Sequence, residues 1–186
     1  MALSKEIGSL FWMRCATGFL ASTYIQQNEL VLAKSLLNTA VEPGTPLETM
    51  GQRLIGCARA ELALAAGEPI LALQVADELD ASAMNLAPGR TIPRLSRLRG
   101  EALAALHQVE EAKAELQAAL ETARVQGTPP LQWRIHKSLG NLYQAVSQPE
   151  EAERQFRAAR KIVGELAANI PGEATRREFL RRADLG

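Results

Sequence analysis

A pattern recurring nearly four times at intervals of 39 to 40 residues constrains this chain more than any other feature, and its clearest mark is the series Ala33, Ala72, Ala112 and Ala152. Internal repeats of this period point to stacked, equivalent units. Around each alanine the same neighbours return. A small residue lies twelve positions earlier (Ala21, Ala60, Gly100, Gly140), and Tyr24, Ala63, Leu103 or Tyr143 lies nine earlier. An apolar residue follows four later (Leu37, Ala76, Leu116, Phe156), then Ala40, Leu79, Ala119 or Ala159 seven later. Stacked units present an extended surface instead of enclosing one central cavity, so a surface-binding role is the first expectation.

Composition narrows the secondary structure. Aromatic residues make up only 4% of the 186, although 47% are hydrophobic, so the core is built mainly from Ala, Leu, Ile and Val. Alanine-rich faces suit closely approaching helices, whereas a sandwich of strands calls for alternating β-branched and aromatic residues. The chain is therefore expected to be all-α. In the third unit Leu95, Leu98, Ala102, Leu103 and Leu106 recur at helical spacing, followed by Ala112, Leu116, Ala119, Leu120 and Ala123. Each helix thus carries one apolar stripe, which it can bury only against neighbours.

Punctuation divides each unit into two helices. The expected pairs are 4–27 with 30–41, 46–66 with 69–81, 93–107 with 109–126, and 129–147 with 149–168, and a short helix over 172–183 closes the chain. The unit boundaries fall at 4–41, 46–81, 91–126 and 129–168, within one domain spanning 1–186. Thr45, Pro46 and Glu48 predict the start of the second pair through a capping box with proline in the first turn. Gly67, His107-Gln108 and Ser147-Gln148 mark tight turns, and the longest loop is expected from Ser82 to Ile92, containing Pro88-Gly89.

Net charge is zero overall but uneven. Residues 1–89 hold five Lys or Arg against nine Asp or Glu, and the remainder hold sixteen against twelve. That balance argues against a nucleic-acid partner, which wants a strongly basic domain, while leaving basic patches in the second half. Cys15 and Cys57 match no metal spacing and read as buried, reduced thiols of a cytoplasmic protein. Arg14 interrupts the apolar run from Ser9 to Ala21, against an export signal. No run reaches the ~20 apolar residues that span a bilayer, so no membrane partner is expected.

The fourth unit, Leu139-Gly140-x-x-Tyr143 followed by Ala152-x-x-x-Phe156-x-x-Ala159, resembles a tetratricopeptide repeat (TPR), and the other units follow with substitutions. His136, Ser96 and Thr17 stand where that family has an early tryptophan, and the period exceeds its usual ~34 residues. Long-period forms resemble regions of bacterial signalling and transcription-regulatory proteins. The resemblance implies a right-handed superhelical solenoid of four antiparallel helix pairs plus a C-terminal capping helix. It also implies a concave groove lined by the first helix of each pair. Carried over by position, the groove candidates are Ser22, Gln26, Leu54, Cys57, Glu61 and Leu64 in the first half, then Arg94, Arg97, Glu101, Arg134, Lys137, Asn141 and Gln144. Lys137 and Asn141 resemble half of a clamp for a peptide's terminal carboxylate.

No catalytic constellation is visible. His107 and His136 are the only histidines and read as ordinary turn and packed residues, and there is no phosphate loop, HExxH, GxSxG or paired-cysteine motif. No cofactor or metal is expected. The function implied is a non-enzymatic scaffold holding a peptide or protein, with an acidic one suiting the basic groove. A second reading makes the chain the C-terminal sensory or oligomerising arm of a larger signalling protein such as a nucleotide cyclase or transcription regulator. It rests on Leu10, Phe11, Trp12 and Phe19, an apolar cluster with no polar cap before it, through which two copies would pair as a homodimer. At the other end Phe179 and Leu180 are expected to cover the last pair, with the flanking arginines in solvent.

Overall fold

The computed structural model describes residues 9–40, 47–84 and 92–183, and among them every regular element is an α-helix. In chain order these are α1 (Leu10–Gln26), α2 (Leu30–Asn38), α3 (Met50–Ala65), α4 (Pro69–Met84), α5 (Pro93–Ala105), α6 (Val109–Val125), α7 (Pro129–Ala145), α8 (Pro149–Ala168) and α9 (Glu173–Ala183). The chain divides into two compact units, residues 1–90 and 91–186.

Consecutive helices pair through turns of one geometry. Asn28, Gly67, His107 and Ser147 all have positive φ, between 58° and 74°. At each, the next residue's N–H donates to a carbonyl five positions back, as Glu29 does to Tyr24 O at 2.9 Å and Gln108 to Leu103 O at 2.9 Å. This Schellman arrangement satisfies the last carbonyls of the leading helix. Gly127 closes α6 in the same way before α7. Glycine accepts the left-handed region freely and asparagine tolerates it, while histidine and serine hold it at a cost.

In the first unit α1 packs on α2 and α3, and α3 on α2 and α4. Ala21, Leu37, Ile55 and Ala58 form its central cluster. Close approach of α1 and α3 depends on two glycines not foreseen from the repeat. A Cβ on Gly18 would lie 2.7 Å from that of Leu54, and one on Gly51 would lie 2.7 Å from that of Arg14. Helix α3 begins four residues later than the expected position 46. Thr49 is its cap, in extended conformation, and Gln52 Oε1 accepts the Thr49 N–H at 2.9 Å in a complete capping box. Arg53 and Ser82 both donate to the Leu47 carbonyl, which holds the segment before the cap away from helix. The expected cap at Thr45-Pro46 lies outside the described residues, as does Pro88-Gly89. Helix α4 runs on to Met84, past the predicted end at 81.

In the second unit α5 packs on α6 and α7, α7 on α6 and α8, and α9 on α8. The repeat alanines Ala112, Ala119, Ala152 and Ala159 are buried, like Ala33, Ala72 and Ala76 in the first unit. Gly100 and Gly140, small residues of the repeat, allow close approach within their pairs, since a Cβ would meet Leu116 Cγ at 2.6 Å and Phe156 Cε1 at 2.5 Å. At the end of the chain Phe179 is half-buried and Ala183 buried, but Leu180 is exposed. Residues 179 and 183 share a face by their i, i+4 spacing and Leu180 turns away from it. No described helix is long and apolar enough to cross a membrane.

Candidate functional site

The predicted groove residues of the second unit lie on one face of α5 (Arg94, Arg97, Glu101) and one face of α7 (Arg134, Lys137, Asn141, Gln144), as helical spacing requires. The two helices are tied together by polar side chains. Arg97 Nη1 lies 2.5 Å from Glu101 Oε1, and the same carboxylate oxygen accepts a hydrogen bond from Ser138 Oγ of α7, whose hydroxyl also lies 3.0 Å from the Arg134 carbonyl. Arg97 is only 8% exposed, so its charge is spent against Glu101 within the protein and not presented outward. A buried charge needs such a partner.

The remaining basic groups are more accessible. Arg134 is half-buried, with its guanidinium 5.4 Å from the centre of the Trp133 ring, a cation–π distance. Lys137 Nζ approaches the Ala183 carbonyl at 3.4 Å, at the C-terminal end of α9, where a cation is favoured by the helix dipole. Arg94 is half-buried, and Asn141 and Gln144 are exposed. Arg94, Arg134 and Lys137 are the other basic residues of this face, beside the Arg97–Glu101 pair.

The first-half candidates are placed differently. Ser22 and Cys57 are buried, Leu54 is half-buried against Gly18, and Ser22 Oγ donates to Glu61 Oε2 at 2.8 Å. Gln26 is exposed and Leu64 half-buried. Close packing of α1 on α3 therefore draws Ser22 and Cys57 into the interior and leaves Leu54, Glu61 and Leu64 half-buried. Cys15 and Cys57 are buried and not joined in a disulfide. Leu10, Phe11, Trp12 and Phe19 of α1 are exposed, Trp12 and Phe19 at 57% each, and the Phe11 and Trp12 rings meet edge-to-face at 5.1 Å.

His136, which the sequence reads as an ordinary packed residue, is well enclosed and faces a concavity. It is 5% exposed on α7, and its Nδ1 lies 2.6 Å from Gln155 Oε1 of α8. Burial, the largest influence, and the nearby positive charge of Arg124 lower its pKa below 6.5, while the Gln155 bond partly opposes them. The ring lines a hollow of about 400 Å³ among α6, α7 and α8. A histidine three positions before a leucine and seven before a tyrosine on one helical stripe was the available signal, and it points equally to plain packing. Among the described residues no group of three or more His, Cys, Asp or Glu is placed to hold a metal ion.

The class the structure defines is, among the described residues, an all-helical one of paired helices, with Arg94, Arg97, Arg134 and Lys137 on the faces of α5 and α7. Comparison of the chain with protein-family models, curated proteins and solved structures gives no match.

Proposed function

We propose that the chain is a non-enzymatic, cytoplasmic protein-binding module of tetratricopeptide-like hairpins, arranged as a right-handed solenoid, that takes an acidic peptide or protein segment on the face shared by α5 and α7. The observation that carries this reading is the unequal charge of that face. Among its predicted groove residues four are basic, Arg94, Arg97, Arg134 and Lys137, against one acidic residue, Glu101, and they stand beside the exposed amides of Asn141 and Gln144. Cations set among side-chain amides suit a run of carboxylates better than an apolar or basic segment.

Titration of the full chain with a fluorescein-labelled hexaglutamate peptide, followed by anisotropy, tests the reading. Binding should weaken as salt rises, and the Arg134→Ala, Lys137→Ala pair should reduce affinity by roughly tenfold or more, about 1.4 kcal/mol. Equal binding by the double variant, or no preference for hexaglutamate over an uncharged peptide, refutes it.

The exposed aromatic surface of α1 favours a second reading, an oligomerising arm that pairs copies through Phe11, Trp12 and Phe19. Light scattering on the Trp12→Ser, Phe19→Ser variant separates the two, since only the oligomer depends on those rings.

A further inference from the structure

The hollow around His136 combines groups that its packing does not use. The Nδ1–H donates to Gln155 Oε1, which leaves Nε2 as the lone-pair acceptor of a neutral ring, and nothing among the described residues bonds to that nitrogen. Across the hollow, α6 contributes Glu121 and Arg124. They are loosely paired at 3.9 Å and both are well exposed, so the guanidinium keeps most of its donors. Leu139 and Tyr143, one and two turns along α7 from His136, line the hollow as buried residues, 1% and 9% exposed. The volume of about 400 Å³ falls in the lower part of the range for small-ligand sites, roughly 300–1,000 Å³.

The sum of these charges selects the ligand. One carboxylate, one guanidinium and a neutral imidazole give a lining that is neutral overall but carries separated charges. A simple anion attracted to Arg124 meets Glu121, and a simple cation attracted to Glu121 meets Arg124. A ligand that is itself neutral with separated charges finds a partner for each. We infer that this hollow binds a zwitterionic α-amino acid. Its carboxylate sits on Arg124, and its ammonium donates to His136 Nε2 and Glu121. This site is separate from the α5–α7 face and does not depend on the peptide reading.

L-Leucine is the probe, added to the full chain while proton–nitrogen correlation spectra follow the imidazole rings. The protein has two histidines, and His107, at an exposed turn, is the internal reference. L-Leucine should shift the His136 signals saturably and leave those of His107 in place. Isocaproate, which lacks the ammonium, and isoamylamine, which lacks the carboxylate, should each bind roughly tenfold more weakly or worse. The Arg124→Gln variant, altered at an exposed position, should lose roughly tenfold in L-leucine affinity. Absence of a saturable shift at His136, equal binding of either single-charge analogue, or unchanged affinity in Arg124→Gln overturns the inference.

Discussion

Substitution of glycine by alanine should have opposite signs at two helix-interior positions of the second unit, and the sign is set by a single aromatic ring. At Gly164 of α8 an added Cβ meets nothing within 4 Å. Gly164→Ala should therefore gain the full helix-propensity difference, ~1 kcal/mol. At Gly140 of α7 the same Cβ would lie 2.5, 2.7 and 2.8 Å from three ring carbons of Phe156. Ordinary carbon contacts are ~3.5–4.0 Å, so the ring must retreat by about 1 Å. Overpacking of this kind costs ~1–3 kcal/mol, and the propensity gain offsets ~1 kcal/mol of it, leaving a net loss of ~1 kcal/mol. Urea unfolding monitored by circular dichroism and by tryptophan emission gives both values. Removing the ring provides the internal control: in a Phe156→Ala background Gly140→Ala should become stabilising by ~1 kcal/mol, the value expected at Gly164. If Gly140→Ala stabilises the wild-type chain as much as Gly164→Ala does, or if its sign is unchanged without Phe156, the close approach of α7 and α8 is not what requires a glycine there.

The left-handed turns supply a second set of expectations. His107→Gly and Ser147→Gly should each raise stability by about 0.5–1 kcal/mol, Asn28→Gly should change it little, and Gly67→Ala should lower it by ~1 kcal/mol, all read from urea midpoints. The buried imidazole gives a pH dependence. The folded-state pKa of His136 lies below 6.5, so between that value and pH 6.5 the unfolded chain binds more protons than the folded one. Stability should be fully present above pH 6.5 and fall as pH drops through this window, and His136→Gln should flatten that slope. A slope unchanged in the variant would place its origin elsewhere.

Much of the fold was legible because it is encoded locally. Residues 109–125 form a helix where Ala112, Leu116, Ala119 and Ala123 keep helical spacing, and the turns fall at Asn28, Gly67, His107 and Ser147 because the apolar pattern breaks there. The start of α3 was misplaced at position 46, because Thr45, Pro46 and Glu48 carry the same capping-box spacing as Thr49 and Gln52, and the spacing alone does not choose between them. Gly18 and Gly51 could not be assigned from the sequence, as a glycine inside a helix does not say which helix approaches it.

By itself, then, the sequence determined the helical class, the pairing of neighbouring helices and the burial of the recurring alanines. Each of these follows from backbone propensity and from apolar spacing within about one unit. Tertiary structure alone decided which polar residues are spent inside and which remain outside. Ser22 reaches Glu61 across 39 positions, Ser138 reaches Glu101 across 37, and Lys137 reaches the Ala183 carbonyl across 46. His136 meets Gln155 across 19, in a hollow formed by three helices. Hydrogen bonds and ion pairs act only over a few ångströms, and no residue's type or spacing reveals which distant group the packing of helices will bring within that reach.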